Sequence, residues 1–312
     1  MDENNMTTIT VIRLLGFQSP KNMAPLIFFF FLLLYCVAIC GNLLIITLVS
    51  DSKSLHSPMY FFLSQLSVSD ILLITDVVPN MLHAVLENAT NVPISDCITQ
   101  FYFFAATESL ECLLLTVMSY DRYVAICRPL HYTLLMNHNI CSITVITSWS
   151  LSFLAVLIYI LTISKLQFCG SNIIDHFFCD LDPILQLSCS DTTIVQLEET
   201  LLSVIFGVIP FFLIIVSYIY IIFTIFEIPS ITGRQKVFST CSSHLTVVSI
   251  FYGTMFCVYL VPSRGQSLNI SKFLSLLYTV VTPLVNPIIY SLRNKDLKQV
   301  VGKIIVKLSL PP

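Results

Sequence analysis

Charge is what this sequence has least of. Only 11% of its 312 residues are Asp, Glu, Lys or Arg, 56% are hydrophobic, and the mean hydropathy is +0.86. Soluble domains carry roughly 25% charged residues. So little charge excludes a water-soluble globular domain and leaves an integral membrane protein. Catalytic signatures are missing as well: there is no H-E-x-x-H, and Asp70 and Asp76 lack any matching partner motif, so no enzymatic activity is expected. No internal repeat or low-complexity segment occurs, whereas repeated halves with interrupted helices mark many transporters. Residues 1–22 are polar and lack an apolar h-region; no cleaved signal peptide is expected, and the first span is expected to direct insertion. The C-terminal tail has no Cys, which excludes palmitoylation there.

What is present is seven runs of spanning length with little or no charge, at about 22–50, 58–82, 98–120, 140–164, 200–226, 237–263 and 273–292. Seven crossings put the two ends on opposite sides. With the N-terminus outside, the inner segments hold Lys53, Arg122, Arg128, Arg234, Lys236, Arg293, Lys295, Lys298, Lys303 and Lys307, ten of the fifteen basic residues, which supports a cytoplasmic C-terminus. The expected fold is an all-α membrane protein: an extracellular N-terminus over 1–22, a seven-transmembrane helix bundle over 23–292 and a cytoplasmic tail over 293–312. In that tail Leu297, Val300, Val301, Ile304, Ile305 and Leu308 recur at helical spacing among lysines, as in an amphipathic helix lying on an anionic leaflet. Asn5-Met6-Thr7 is a glycan acceptor on the outer end, and Asn88-Ala89-Thr90 and Asn269-Ile270-Ser271 also fall outside, close to the membrane surface.

Several residues inside or beside the spans carry chemistry. Arg122 cannot lose its proton and needs water or a polar partner such as Asp121. Gly41 lets a neighbouring backbone approach, and Asn42 needs a hydrogen-bonding partner away from lipid. Asp70 lies midway along the second span and Glu111 on the third, depths at which a carboxyl must be partnered or functional. Cys97, Cys169, Cys179 and Cys189 fall in outer segments; four cysteines allow three connectivities, and spacing does not choose among them. The outer loop over 165–199 is long enough to be an ordered lid or a disordered segment. Its acids, Asp175, Asp180, Asp182, Asp191, Glu198 and Glu199, read as solvated charge rather than a cation site, and His176 reads either as structural or as a ligand.

The string Ser119 to Tyr132, S-Y-D-R-Y-V-A-I-C-R-P-L-H-Y, resembles the odorant receptors, a branch of the rhodopsin-like G-protein-coupled receptors. So do L-H-S-P-M-Y-F-F-L-S at Leu55 to Ser64, K-V-F-S-T-C-S-S-H-L-T-V-V at Lys236 to Val248, and P-L-V-N-P-I-I-Y at Pro283 to Tyr290. Phe251-Tyr252-Gly253 stands where many rhodopsin-like receptors carry a Trp and a Pro, so a sixth-span pivot is carried over only from odorant receptors.

The resemblance implies a small, volatile or hydrophobic odorant bound within the bundle and a heterotrimeric G protein of the stimulatory, cAMP-raising type. A transporter or channel of small molecules is the alternative. Helical spacing gives the candidate ligand faces: Phe104, Ala105, Glu108, Ser109 and Cys112 on the third span; Ser203, Phe206 and Gly207 on the fifth; Tyr252, Met255, Phe256 and Tyr259 on the sixth; Leu276 and Thr279 on the seventh. The resemblance assigns the switch to Asp121, Arg122, Tyr123, Tyr218, His244, Asn286, Pro287 and Tyr290, with His244 near Arg122. It gathers Asn42, Asp70, Glu111 and Asn286 into one polar cluster, where two carboxyls would share a proton or hold a cation. Sodium is the ion it suggests, and no other cofactor is expected. It pairs Cys97 with Cys179 and leaves Cys169 with Cys189. Glu108 is set apart, because the family usually carries a small residue there. Three readings stand: an ionised partner for a cationic ligand, a protonated hydrogen-bonded acid, or a member of the sodium cluster.

Overall fold

The computed structural model describes residues 9–18, 20–260, 268–293, 297, 299–300 and 302. Among these, seven helices are long and apolar enough to cross a membrane: Ala24–Asp51, Pro58–Glu87, Ile94–Cys127, His138–Ile163, Thr193–Glu227, Cys241–Val258 within the helix Ile231–Leu260, and Ile270–Ser291. In lipid every backbone polar group must be satisfied within the chain, and a helix does this segment by segment. Local chemistry sets several ends. Pro58 opens the second span where its missing N–H costs nothing. Asn88, at φ 56°, closes that span in the left-handed region. Asn137 Oδ1 accepts from Ile140 N at 3.0 Å and caps the fourth span.

Helices run past the apolar runs. The third span continues to Cys127, so Asp121 and Arg122 sit on helix. The fifth begins at Thr193 and ends at Glu227, and the next helix starts at Ile231, so the gap between the two apolar runs, 227–236, shrinks to a link over 228–230. Hydropathy marks the hydrocarbon slab, about 30 Å thick. At about 1.5 Å per residue, helices this long project beyond it.

The third span is the axis of the bundle, packed against the second, fourth, fifth and sixth. The first span lies at the edge: only 17% of its most apolar stretch is buried, against 56% for the second and third. Gly41 faces Pro287, and a Cβ added there would come within 3.2 Å of the proline ring. That is the close approach expected of it.

One end of the bundle also carries a small sheet that the residues had not signalled. Strand β1 (Val11–Leu14) pairs antiparallel with β2 (Thr90–Pro93) and parallel with β3 (Ile173–Ile174), giving the order β2-β1-β3. Ile12 and Leu14 are fully buried beneath it. Cys97 is disulfide-bonded to Cys179 and Cys169 to Cys189, with Cα–Cα separations of 5.4 and 5.8 Å. The segment over 165–199 is therefore an ordered lid, and it contains the helix Leu181–Gln186 and the first turns of the fifth span. Lys272, from the seventh span, ties this end together by donating to the Gly16 carbonyl at 2.8 Å and pairing with Asp175.

Of the tail, Leu297 is buried and Val300 packs against the core at the end away from the lid. Val301, Ile304, Ile305, Leu308, Lys295, Lys298, Lys303 and Lys307 lie outside the described residues, as does Asn5.

Candidate functional site

Beneath the lid the helices enclose a cavity of about 830 Å³, within the range of small-molecule sites. Phe104, Ala105, Glu108, Ser109 and Cys112 form its third-span wall. The fifth span contributes Ser203, Phe206 and Gly207 from a π-helical turn over Ser203–Val208, and the sixth contributes Tyr252, Met255 and Phe256. These are the faces that helical spacing singled out. The side chain of Tyr259 lies outside the described residues.

The seventh span differs. Its cavity face is Ser271, Leu274, Ser275 and Tyr278. Leu276 packs into the core at the lid end, and Thr279 is fully buried, its hydroxyl donating to the Ser275 carbonyl at 2.7 Å. Packing rotates the span about one residue from the expected phase, and the run from Leu276 to Val281 has few polar residues to fix it. The polar positions Ser271, Ser275 and Tyr278, spaced i, i+4 and i+7, carried the correct phase.

Sequence reasoning also missed the lid and the fourth span as walls. Val156 and Tyr159 line the cavity with His176, Asp180 and Leu181. Several lid acids are partnered rather than simply solvated, Glu198 among them through the Thr162 hydroxyl at 3.1 Å. Asp175 pairs with Lys272, and Asp180 accepts from Leu181 N at 2.8 Å and from the Tyr278 hydroxyl at 3.4 Å. Asp180 faces the enclosed cavity, and this burial pushes its pKa up to about 6. His176 is structural in its contacts: its ring stacks on Phe177 with centroids 4.7 Å apart, and Phe178 N points at Nδ1 from 3.5 Å. Burial first, then the Lys272 charge, lowers its pKa to about 3, so it stays neutral. Among the described residues no cluster of His, Cys, Asp or Glu could hold a metal through three such side chains.

Below the cavity lies a buried polar bridge. Asn286 Nδ2 donates to both oxygens of Asp70 at 3.1 Å, and the Asp70 and Glu111 carboxyls are within hydrogen-bonding reach of each other. Asn42 joins less directly than expected: its amide donates to the Pro283 carbonyl at 2.9 Å, not to a carboxylate. Glu111 Oε1 and Asn42 Oδ1 are buried without a partner among the described residues.

At the end away from the lid, Arg122 Nη2 meets Asp121 Oδ2 at 2.7 Å, and Nε meets the same oxygen at 3.1 Å. Asp121 Oδ1 accepts the Tyr132 hydroxyl at 2.8 Å, so the fully buried carboxylate is satisfied on both oxygens. Tyr218 Oη and His244 Nδ1 are 2.6 Å apart, with their rings stacked, and His244 lies close enough to Arg122 to feel its charge. The Tyr290 hydroxyl is buried without a partner among the described residues, three positions after Pro287. Tyr123 packs edge-on against Tyr220.

A cavity closed by a crosslinked lid, a polar bridge and an ion pair are thus stacked along one bundle. Known proteins resemble this chain in sequence and in fold. A family model described as olfactory receptor matches residues 31–308. Olfactory receptor 11L1 of Homo sapiens is 46% identical over 304 residues, covering 97% of this chain and 94% of the relative. Olfactory receptor 1468 of Rattus norvegicus is 43% identical over 307 residues, covering 98% of each. The crystal structure of squid rhodopsin superposes with a TM-score of 0.73, covering 94% of this chain and 88% of that one; at 16% identity the likeness is one of fold. With the family model spanning most of the bundle and relatives above 40% identity end to end, this chain belongs to the olfactory receptor family.

Proposed function

We propose that this protein is an odorant receptor of the plasma membrane, in which a small hydrophobic ligand in the cavity drives activation of a heterotrimeric G protein of the cAMP-raising type. The observation that carries this is the cavity of about 830 Å³ set directly above the buried polar bridge. Its floor residue Cys112 is the next position on the third span after Glu111. A ligand that fits one packing of the helices better than another shifts the population between them. The groups that would register the shift are the Asp70–Asn286 contact, the Tyr218–His244 pair and the Arg122–Asp121 pair. Releasing Arg122 from Asp121 would free the guanidinium at the end where a G protein docks.

The orientation is inferred from the basic residues: N-terminus and lid outside, with the tail from 293 on the inner side. Asn5 would then carry a glycan. A sodium ion fits the polar bridge chemically, because Asp70 and Glu111 are adjacent acids and Glu111 Oε1 has no partner among the described residues. Asp70 and Glu111 would hold it, and the ion would supply a positive charge that lets both carboxyls stay ionised.

The test is a panel of volatile ligands applied to cells with the receptor at the surface, read by cAMP. A ligand-dependent rise supports the reading. A membrane flux of the ligand with no cAMP response would favour a transporter.

A further inference from the structure

The cavity wall is rich in acids. Glu108 on the third span, Asp180 and Asp182 in the lid and Glu199 on the fifth span all face it, and among the described residues no Lys or Arg does. Its fifth acid, Asp175, is already paired with Lys272, and its basic member, His176, stays neutral. Glu108 and Glu199 have no ion-pair partner among the described residues, and Glu108 lies within reach of the Asp180 charge.

A second feature points to a ligand there. Tyr159 lines the cavity and is only 4% exposed, yet its hydroxyl has no hydrogen-bond partner among the described residues. It sits in the field of Glu199 and Asp180. An unpaired buried hydroxyl is unfavourable, and an incoming N–H donor would satisfy it. The other walls include Phe104, Phe206, Tyr252 and Phe256, which suit an apolar ligand body and offer ring faces to a cation.

We propose that the cavity selects ligands carrying a protonated amine, with the ammonium held between Glu108 and Asp180, the Tyr159 hydroxyl accepting one of its N–H groups, and the apolar part lying against the aromatic wall. Acids brought together in an enclosed space repel one another, and a bound cation relieves this. The same field rejects carboxylate ligands of equal size, since like charge facing like charge excludes a partner.

This inference rests on the receptor reading, and the test separates the two. Amines, alcohols, ketones and carboxylic acids of matched carbon number are compared by cAMP dose-response in cells, and by thermal shift of the purified full-length receptor. Wild type is compared with Glu108→Gln and Asp180→Asn, isosteric changes that keep the volume. Amines are expected to be the active class, and each variant should weaken them by at least about tenfold, as loss of a close charge pair does, while neutral ligands move far less. Tyr159→Phe should weaken primary amines more than tertiary ones, which have fewer N–H groups to offer. A cAMP response to alcohols or ketones with amines inactive overturns the inference and leaves the receptor reading intact. Equal losses across all classes in both variants also overturn it. If no class raises cAMP, the receptor reading fails, and the thermal shift alone decides: stabilisation by amines that Glu108→Gln abolishes upholds the inference, and its absence overturns it.

Discussion

At the scale of single residues, the Arg122 end is held by charge-assisted contacts around one buried carboxylate. Asp121 takes Arg122 on one oxygen and the Tyr132 hydroxyl on the other. Burial first, then the Asp121 charge, raises the Tyr132 pKa, so the phenol stays a donor. Tyr132→Phe removes that donor, a loss of about 1.5–3 kcal/mol for a hydrogen bond to a charged group. It should loosen Asp121 and raise ligand-free cAMP several-fold per surface receptor; unchanged basal signalling would show that Tyr132 does not hold the ion pair. In the lid, two groups titrate in opposite senses. His176 is lowered from 6.5 to about 3, so its contribution to stability is complete above pH 6.5 and is lost as pH falls toward 3. Asp180 is raised from 3.8 to about 6, so its contribution is complete below pH 3.8 and is lost as pH rises through 6. Purified His176→Gln should therefore lose less melting temperature than wild type between pH 7 and 5, and Asp180→Asn should lose more. Parallel pH profiles for all three would refute this assignment.

At the scale of elements, legibility depended on whether local sequence carried the signal. The seven spans could be read from hydropathy, and the third-span wall followed from Glu108 and Ser109 marking one face. The seventh-span wall was misread at Leu276 and Thr279, where the phase is set by packing. The sheet was invisible because β1 pairs with residues 90–93 and 173–174, far away in the chain, so no hairpin turn announces it. Gly16, just after β1, has φ 62°, and a Cβ there would lie 2.9 Å from the Ala84 Cβ. Gly16→Val combines a disfavoured backbone with a clash and should lower surface expression severalfold in a fluorescence-labelling assay; wild-type levels would mean that β1 is dispensable. The lid depends in the same way on the crosslink between Cys97 and Cys179. Each single Ser substitution should block surface delivery, and the double variant should be no worse than either, because crosslinked partners act as one unit. Additive losses would count against the pairing.

At the scale of the whole molecule, the cavity and the Arg122–Asp121 pair are separate sites, and the proposed receptor function requires them to be coupled through the bundle. Two variants divide them. Gly207 lines the cavity, and a Cβ added there meets nothing within 4 Å, so Gly207→Trp is expected to fill the ligand space from a position whose backbone tolerates a side chain. Arg122→Ala leaves the cavity intact and removes the always-charged group at the other end. The decisive measurement is ligand-dependent cAMP in parallel with ligand binding, for wild type and both variants at matched surface levels. Wild type is expected to bind and signal, Gly207→Trp to lose both binding and ligand-driven cAMP, and Arg122→Ala to keep binding while its ligand-driven cAMP falls to background. Full signalling by Arg122→Ala, or undiminished binding by Gly207→Trp, would contradict a receptor that couples this cavity to this ion pair.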